Sequence, residues 1–197
     1  MVVHPPPGRP TPRPSQRGLS VLDLVAGLGV AAILCFLAMP SHQGLLSRYR
    51  TLSQAQALTQ ALFFARSEAI RRGVRVTICH SASHAAAKPS CDGRGWGDGW
   101  IAFLDNTDAA TNRPGVLDGN DLLLRVGEGR PSVRVETTAT FRQWLAFTPT
   151  GRSIGNSGLS NGTFCFVDGP SRRDVVVAVT GRVTVSLPMI FPNNAAC

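Results

Sequence analysis

The chain has 197 residues, 43% of them hydrophobic and 16% charged, with 20 Gly and 14 Pro. That is too apolar for a disordered protein, and the length suits one domain of ordinary size plus an anchor. The net charge of +8 comes from 19 Arg and one Lys against 12 acids. It permits contact with nucleic acid or anionic lipid and demands neither.

Residues 1–18 contain six Pro and three Arg (Arg9, Arg13, Arg17), no acid and no apolar run, so they cannot pack. Leu19 to Met39 follow, with Asp23 as the only strongly polar residue. As a helix this stretch is about 30 Å long, enough to span a bilayer core. It exceeds the apolar part of a secretory signal, and no small-residue cleavage site follows it. Arg9, Arg13 and Arg17 before the span, against Arg48 and Arg50 after it, give a small bias for a cytoplasmic N-terminus. An acid at mid-bilayer costs about 2.5–3.5 kcal/mol, less near a helix end, so Asp23 calls for a positive partner or a headgroup-level position.

From Ser41 to Arg72 the apolar residues Leu45, Tyr49, Leu52, Ala55, Leu58, Leu62, Ala65 and Ala69 recur in steps of three and four. Arg48, Gln54, Gln60, Ser67 and Arg71 lie opposite. Pro40 is expected to kink one long helix at the junction. Arg71, Arg72 and Gly73 supply the cations and the glycine that end it. Beyond it, short β-rich runs follow at 74–79, 100–104, 122–126, 133–137, 143–148, 163–167, 174–179 and 182–187. Many are separated by Gly/Asp/Asn turns, and Thr180-Gly181 forms a tight hairpin between the last two. One long helix on antiparallel strands is an α+β layer fold.

Cys35 lies in the apolar run and reads as a small hydrophobe. Cys79, Cys91, Cys165 and Cys197 are an even set in the polar part, with three possible pairings. We favour Cys79–Cys91 and Cys165–Cys197, the second pinning the C-terminal segment.

Hydrolase, Walker and His-Glu-x-x-His signatures are absent, so no enzyme, cofactor or resident metal is expected. Cys79, His80, His84 and Cys91 are ligand types for zinc, but their spacing fits no usual finger, and a disulfide uses the cysteines better. Asp105, Asn106, Asp108, Asp118, Asn120 and Asp121 form an oxygen-rich loop that departs from the EF-hand pattern and reads as turn chemistry.

The run Arg17-Gly18-Leu19-Ser20-Val21-Leu22-Asp23-Leu24 resembles the class III signal of type IV pilins and type II secretion pseudopilins. In that resemblance Leu19 replaces the usual Phe and Asp23 the usual Glu, while Pro40 stands where the family has its proline. The blocks Ala65-Arg66-Ser67-Glu68-Ala69-Ile70-Arg71-Arg72-Gly73, Val76-Thr77-Ile78-Cys79, Trp96 with Gly99-Trp100-Ile101-Ala102-Phe103 and Asp105, and Gly181-Arg182-Val183 narrow the likeness. They resemble the GspH/FimT group of minor pilins and pseudopilins.

The resemblance implies a type IV pilin-like fold, with a helix half transmembrane and half amphipathic on an antiparallel β-domain. It implies a cleavable leader (1–18), a membrane span (19–39), an amphipathic continuation (40–73) and an extracytoplasmic β-domain (74–197). Prepilin peptidase would cut between Gly18 and Leu19 and methylate the new amine, which Asp23 of a neighbouring subunit would neutralise. The chain would sit once through the inner membrane, with its N-terminus cytoplasmic before cleavage. Its domain would be periplasmic or part of an extracellular filament.

Partners would be the peptidase, other minor pilins or pseudopilins, the major subunit and an inner-membrane assembly platform. The role would be structural and priming, in a secretion pseudopilus or a type IV pilus. The alternative is DNA capture for natural transformation, through a Gly-Arg-x-Arg motif of which Gly181-Arg182-Val183-Thr184 keeps the first arginine. Arg172 and Arg173, expected on a loop, would join Arg182 in a phosphate-binding patch.

Overall fold

The computed structural model describes residues 20–106, 113–119, 121–190 and 197, without the side chains of 36–43 and 189–190. It divides into two units, Met1–Pro40 and Ser41–Cys197. Helix α1 is Val21–Arg72.

In the first unit, Val21, Leu22, Leu24, Val25, Leu28, Val30, Ile33 and Leu34 are all exposed. Apolar residues therefore cover every side of this helical stretch, as water does not favour. Among the described residues no helix is long and apolar enough to cross a membrane. Leu19 and the side chains of 36–39, which belong to the expected span, lie outside those described.

In the second unit α1 buries one stripe: Ser47, Thr51, Ala55, Leu58, Leu62, Ala65 and Ala69. The alanines and leucines at 55–69 match the periodicity in the sequence. Leu45 and Tyr49 do not, at 67% and 64% exposure. The buried positions there are Ser47 and Thr51, because Thr51 Oγ1 bonds Ser171 Oγ at 3.0 Å and the stripe turns polar to meet it. The helix stops where expected, with Gly73 at φ 66 and its amide bonded to the Ala69 carbonyl at 3.0 Å.

Among the described residues ten strands follow: β1 Val76–His80, β2 Gly99–Leu104, β3 Leu122–Glu128, β4 Arg134–Thr137, β5 Trp144–Phe147, β6 Ser153–Gly155, β7 Gly162–Asp168, β8 Ser171–Val177, β9 Val183–Val185 and β10 Met189–Ile190. As expected the strands pair antiparallel, and among the described residues they form two sheets. The first runs β3-β2-β1-β5-β6, and the second β10-β8-β7-β4 with β9 also on β8. Short β6 and β10 escaped the sequence reading because Ser-Ile-Gly and Met-Ile carry no alternation to detect.

The sheets meet at Ser153, whose amide bonds the Val179 carbonyl at 3.3 Å and whose hydroxyl donates to the carbonyls of Ala178, at 2.8 Å, and Ser160. The helical stripe shares one core with Val76, Ile78, Trp100, Ala102, Leu145 and Phe147 of the first sheet and Phe164, Phe166, Val175, Val177 and Val183 of the second. Alanine at 55, 61, 65 and 69 lets the helix approach closely. Full burial of a side chain such as Leu62 contributes about 2–3 kcal/mol. Trp96 caps the core, its Nε1 donating to the Phe141 carbonyl at 2.8 Å and its ring edge-on to Phe164 at 4.9 Å.

A smaller cluster covers the other face of the first sheet. Cys79, Ile101 and Phe103 pack there with Cys91, Leu117 and Trp144. Because β2 is thus buried on both faces, Gly99–Phe103 reads as a continuous apolar run rather than an alternating one.

Candidate functional site

Gly18 and Leu19, the expected cleavage pair, lie outside the described residues. At the start of α1 the Ser20 amide donates to Asp23 Oδ2 at 3.2 Å, and Ser20 Oγ accepts from the Leu22 amide at 3.3 Å. The Ser-x-x-acid spacing thus acts as a helix cap, which satisfies amides the first turn leaves open. Pro40 falls inside α1, with its side chain outside those described.

The four polar-region cysteines form Cys79–Cys91 and Cys165–Cys197. Cys79 and Cys91 are therefore no thiolate ligands for zinc. His80, beside them, is half-buried, edge-on to Trp96, and burial pushes its pKa below 6.5.

In the oxygen-rich loop the carboxylates are spent on turns. Asp121 accepts the amides of Asn106 and Asp118, and Asp118 that of Arg113. Asp105, 1% exposed, accepts from Thr77 Oγ1 and the Gly115 amide at 2.9 Å, and pairs with Arg75 Nε at 3.3 Å. Arg75 in turn lies over the Trp144 ring at 4.8 Å. Asp108 and Asn120 lie outside the described residues, among which no group of three or more His, Cys, Asp or Glu could hold a metal ion.

The three arginines expected to form one patch are not gathered. Arg172 and Arg173 sit within β8 instead of on a loop, at adjacent positions that face opposite sides of the sheet. Arg172 makes a two-pronged pair with Asp174 at 2.8 and 3.1 Å, which holds its pKa up. Arg173 Nη1 donates to the Ser186 carbonyl at 3.1 Å. Arg182 lies across from Ala178, past the other end of β8, so roughly 17–20 Å of strand separate it from the pair.

A different arginine organises the hairpin. Arg66 Nε donates to the Gly151 carbonyl at 3.0 Å, and Nη2 to the Thr180 carbonyl at 3.2 Å. Gly151 and Gly181 both have positive φ, 76 and 75. A Cβ on Gly181 would meet the Gly151 oxygen at 2.0 Å, so the two turns touch. The residues that follow the two glycines, Arg152 and Arg182, are both exposed. Sequence reading missed this because Arg66 looked like one more polar helix residue. Its only signal was its place in the Ala65–Gly73 block.

Glu68 lies two residues further along the helix, taking hydrogen bonds from Arg71 (3.0 and 2.7 Å) and Arg72 (2.6 Å). These bonds hold its pKa at about 2. The three side chains tie off the helix end, where cations are favoured.

Comparison with known proteins agrees with this architecture. The chain has the fold of the Pseudomonas aeruginosa type IV minor pilin FimU. One crystal form gives a TM-score of 0.51 over 71% of this chain and 90% of that one, at 19% identity. A second form gives 0.49 over 69% and 92%, also at 19%. No curated protein matches the chain closely enough to count as a relative. Residues 54–181, more than half of the chain, match the family described as type II transport protein GspH. That stretch holds Arg66, both glycine turns and the Cys79–Cys91 bridge, and the chain belongs to the GspH family of minor pilins and pseudopilins.

Proposed function

We propose that the chain is a structural, priming subunit of a filament built by a type II secretion or type IV pilus machine. It would be made with a cytoplasmic leader, anchored once in the inner membrane, cut between Gly18 and Leu19, and methylated at the new amine. The observation that carries this reading is the contrast along α1. Apolar side chains are exposed on all sides between Val21 and Leu34, whereas from Ala55 to Ala69 a stripe is buried within a folded domain. The first stretch has the surface of a helix meant for lipid or for a bundle of like helices. Asp23 would compensate an amine in that apolar setting, and Pro40 would divide stem from domain.

Intact-mass analysis of the chain expressed with and without prepilin peptidase tests the reading. The expected product begins at methylated Leu19. Retention of residues 1–18 in the presence of an active peptidase overturns it. Asp23→Ala should leave cleavage intact and block entry into filaments, while Asp23→Glu should enter.

DNA capture is the second reading, favoured by exposed Arg152 and Arg182, each next to a glycine of the two touching turns. Binding there would weaken steeply with salt and fall on Arg182→Ala or Arg152→Ala, but not on Arg172→Ala. No retardation of DNA at low salt removes it.

A further inference from the structure

The two disulfides lie in different chemical surroundings. Cys79 is fully buried among Ile101, Phe103, Leu117 and Trp144, apolar walls that disfavour a thiolate. Cys165 is also buried, at 1% exposure, but Arg172 Nη2 lies 3.3 Å from its sulfur. The partner sulfur faces the opposite chemistry: Cys197 Sγ is 3.6 Å from the carbonyl oxygens of both Glu136 and Thr163. Cys197 also lines a groove of about 470 Å³ with Arg94, Trp96, Glu136 and Arg142, and is itself half-buried rather than enclosed.

We propose that Cys165–Cys197 is a redox-labile bond opened by a dithiol reductant, while Cys79–Cys91 is structural. The attacking thiolate enters by the groove, where Arg94 and Arg142 favour its charge, and forms a bond to Cys197 Sγ. The Cys165–Cys197 bond breaks, and its electron pair leaves on Cys165 Sγ as a thiolate. A guanidinium hydrogen bond stabilises that ion more than it stabilises the neutral disulfide. The second thiol of the reductant then attacks the mixed disulfide. Cys197 is released, its proton accepted from the reductant, and the reductant departs as a disulfide, so two electrons have moved to the protein.

Attack in the other direction would place a thiolate on Cys197 against two carbonyl oxygens, and would need access to buried Cys165. The carboxylates opposite Cys165 on the neighbouring strands, Glu136 and Asp174, are each paired, with Arg134 at 3.2 Å and Arg172 at 2.8 Å. Local charge is therefore balanced, and the direct guanidinium contact decides the preference.

The test uses the full chain in detergent with Cys35 alkylated beforehand. Dithiothreitol is added in small excess, aliquots are trapped with N-ethylmaleimide, and labelled peptides are quantified by mass. Cys165 and Cys197 should label together, roughly tenfold ahead of Cys79 and Cys91. Arg172→Gln should slow that reduction by about three- to tenfold and leave Cys79–Cys91 unchanged. Equal rates for the two bonds in the unmodified protein, or earlier opening of Cys79–Cys91, overturn the proposal whether or not the variant folds.

Discussion

Arg66 on the helix donates to the carbonyl of Gly151 at 3.0 Å, across 85 residues of sequence. With its second bond to Thr180 it ties α1 to two separate turns, one after β5 and one after β8. Gly181→Ala should therefore be more damaging than Gly151→Ala. The new methyl at 181 meets backbone oxygen at 2.0 Å, whereas at 151 it meets the movable end of Ile70 at 2.8 Å. Both pay for a positive φ. We expect about 2–3 kcal/mol for Gly181→Ala and about 1 kcal/mol for Gly151→Ala, read as a difference in urea midpoint.

Asp105→Ala should cost about 3–5 kcal/mol. It removes the only ion partner described for half-buried Arg75 and strips an acceptor from buried Thr77 and from the Gly115 amide. Chemical denaturation of variant and parent measures it. Arg75→Met with Asp105→Asn should recover much of the loss, since both charges are then gone.

Acid should weaken the domain in two stages. Burial lowers the His80 pKa in the folded state, so as pH falls below about 6.5 the unfolded chain takes up that proton first and stability drops. Glu68 acts in a lower window. Its folded pKa of about 2 lies below the ordinary 4.5, so its contribution is complete above 4.5 and is lost as pH falls from there towards 2. Asp92, also held at about 2 by Ser83, adds to the same window from 3.8 downward. Melting curves from pH 8 to 3 should show both, and His80→Gln should flatten the first while sparing the second.

Replacing Cys79 and Cys91 by serine should destabilise by about 3 kcal/mol, the loop-closure value for so short a span. An intact far-UV spectrum with a lower melting temperature is the expected result; no change in melting would count against it.

Much of this was legible in the sequence. The helix end at Arg71-Arg72-Gly73 could be read because charge, glycine and the loss of periodicity coincide there. The strands around Val76–His80 and Gly99–Leu104 could be read because apolar and β-branched residues run together between turns. Other features needed distances. Leu45 and Tyr49 continue the helical spacing and yet are exposed, since the Thr51–Ser171 hydrogen bond selects a neighbouring stripe. Arg172 and Arg173 look like a free basic pair until β8 sets them on opposite sides and Asp174 and Ser186 take their donors. Arg66 is anonymous in a row of helical letters, because its partners arrive from turns far along the chain.

The hydroxyl-lined stretch of the buried stripe has a dynamic consequence. Ala55 to Ala69 is held by close apolar packing, but Ser47 and Thr51 rest on hydrogen bonds that water can replace at little net loss. Detachment of the helix from its sheets should begin at 47–51 and climb in cost towards Arg66. Amide exchange would then register a gradient, fast near Ser47 and slowest around Leu62, making this helix a strip that peels from one end.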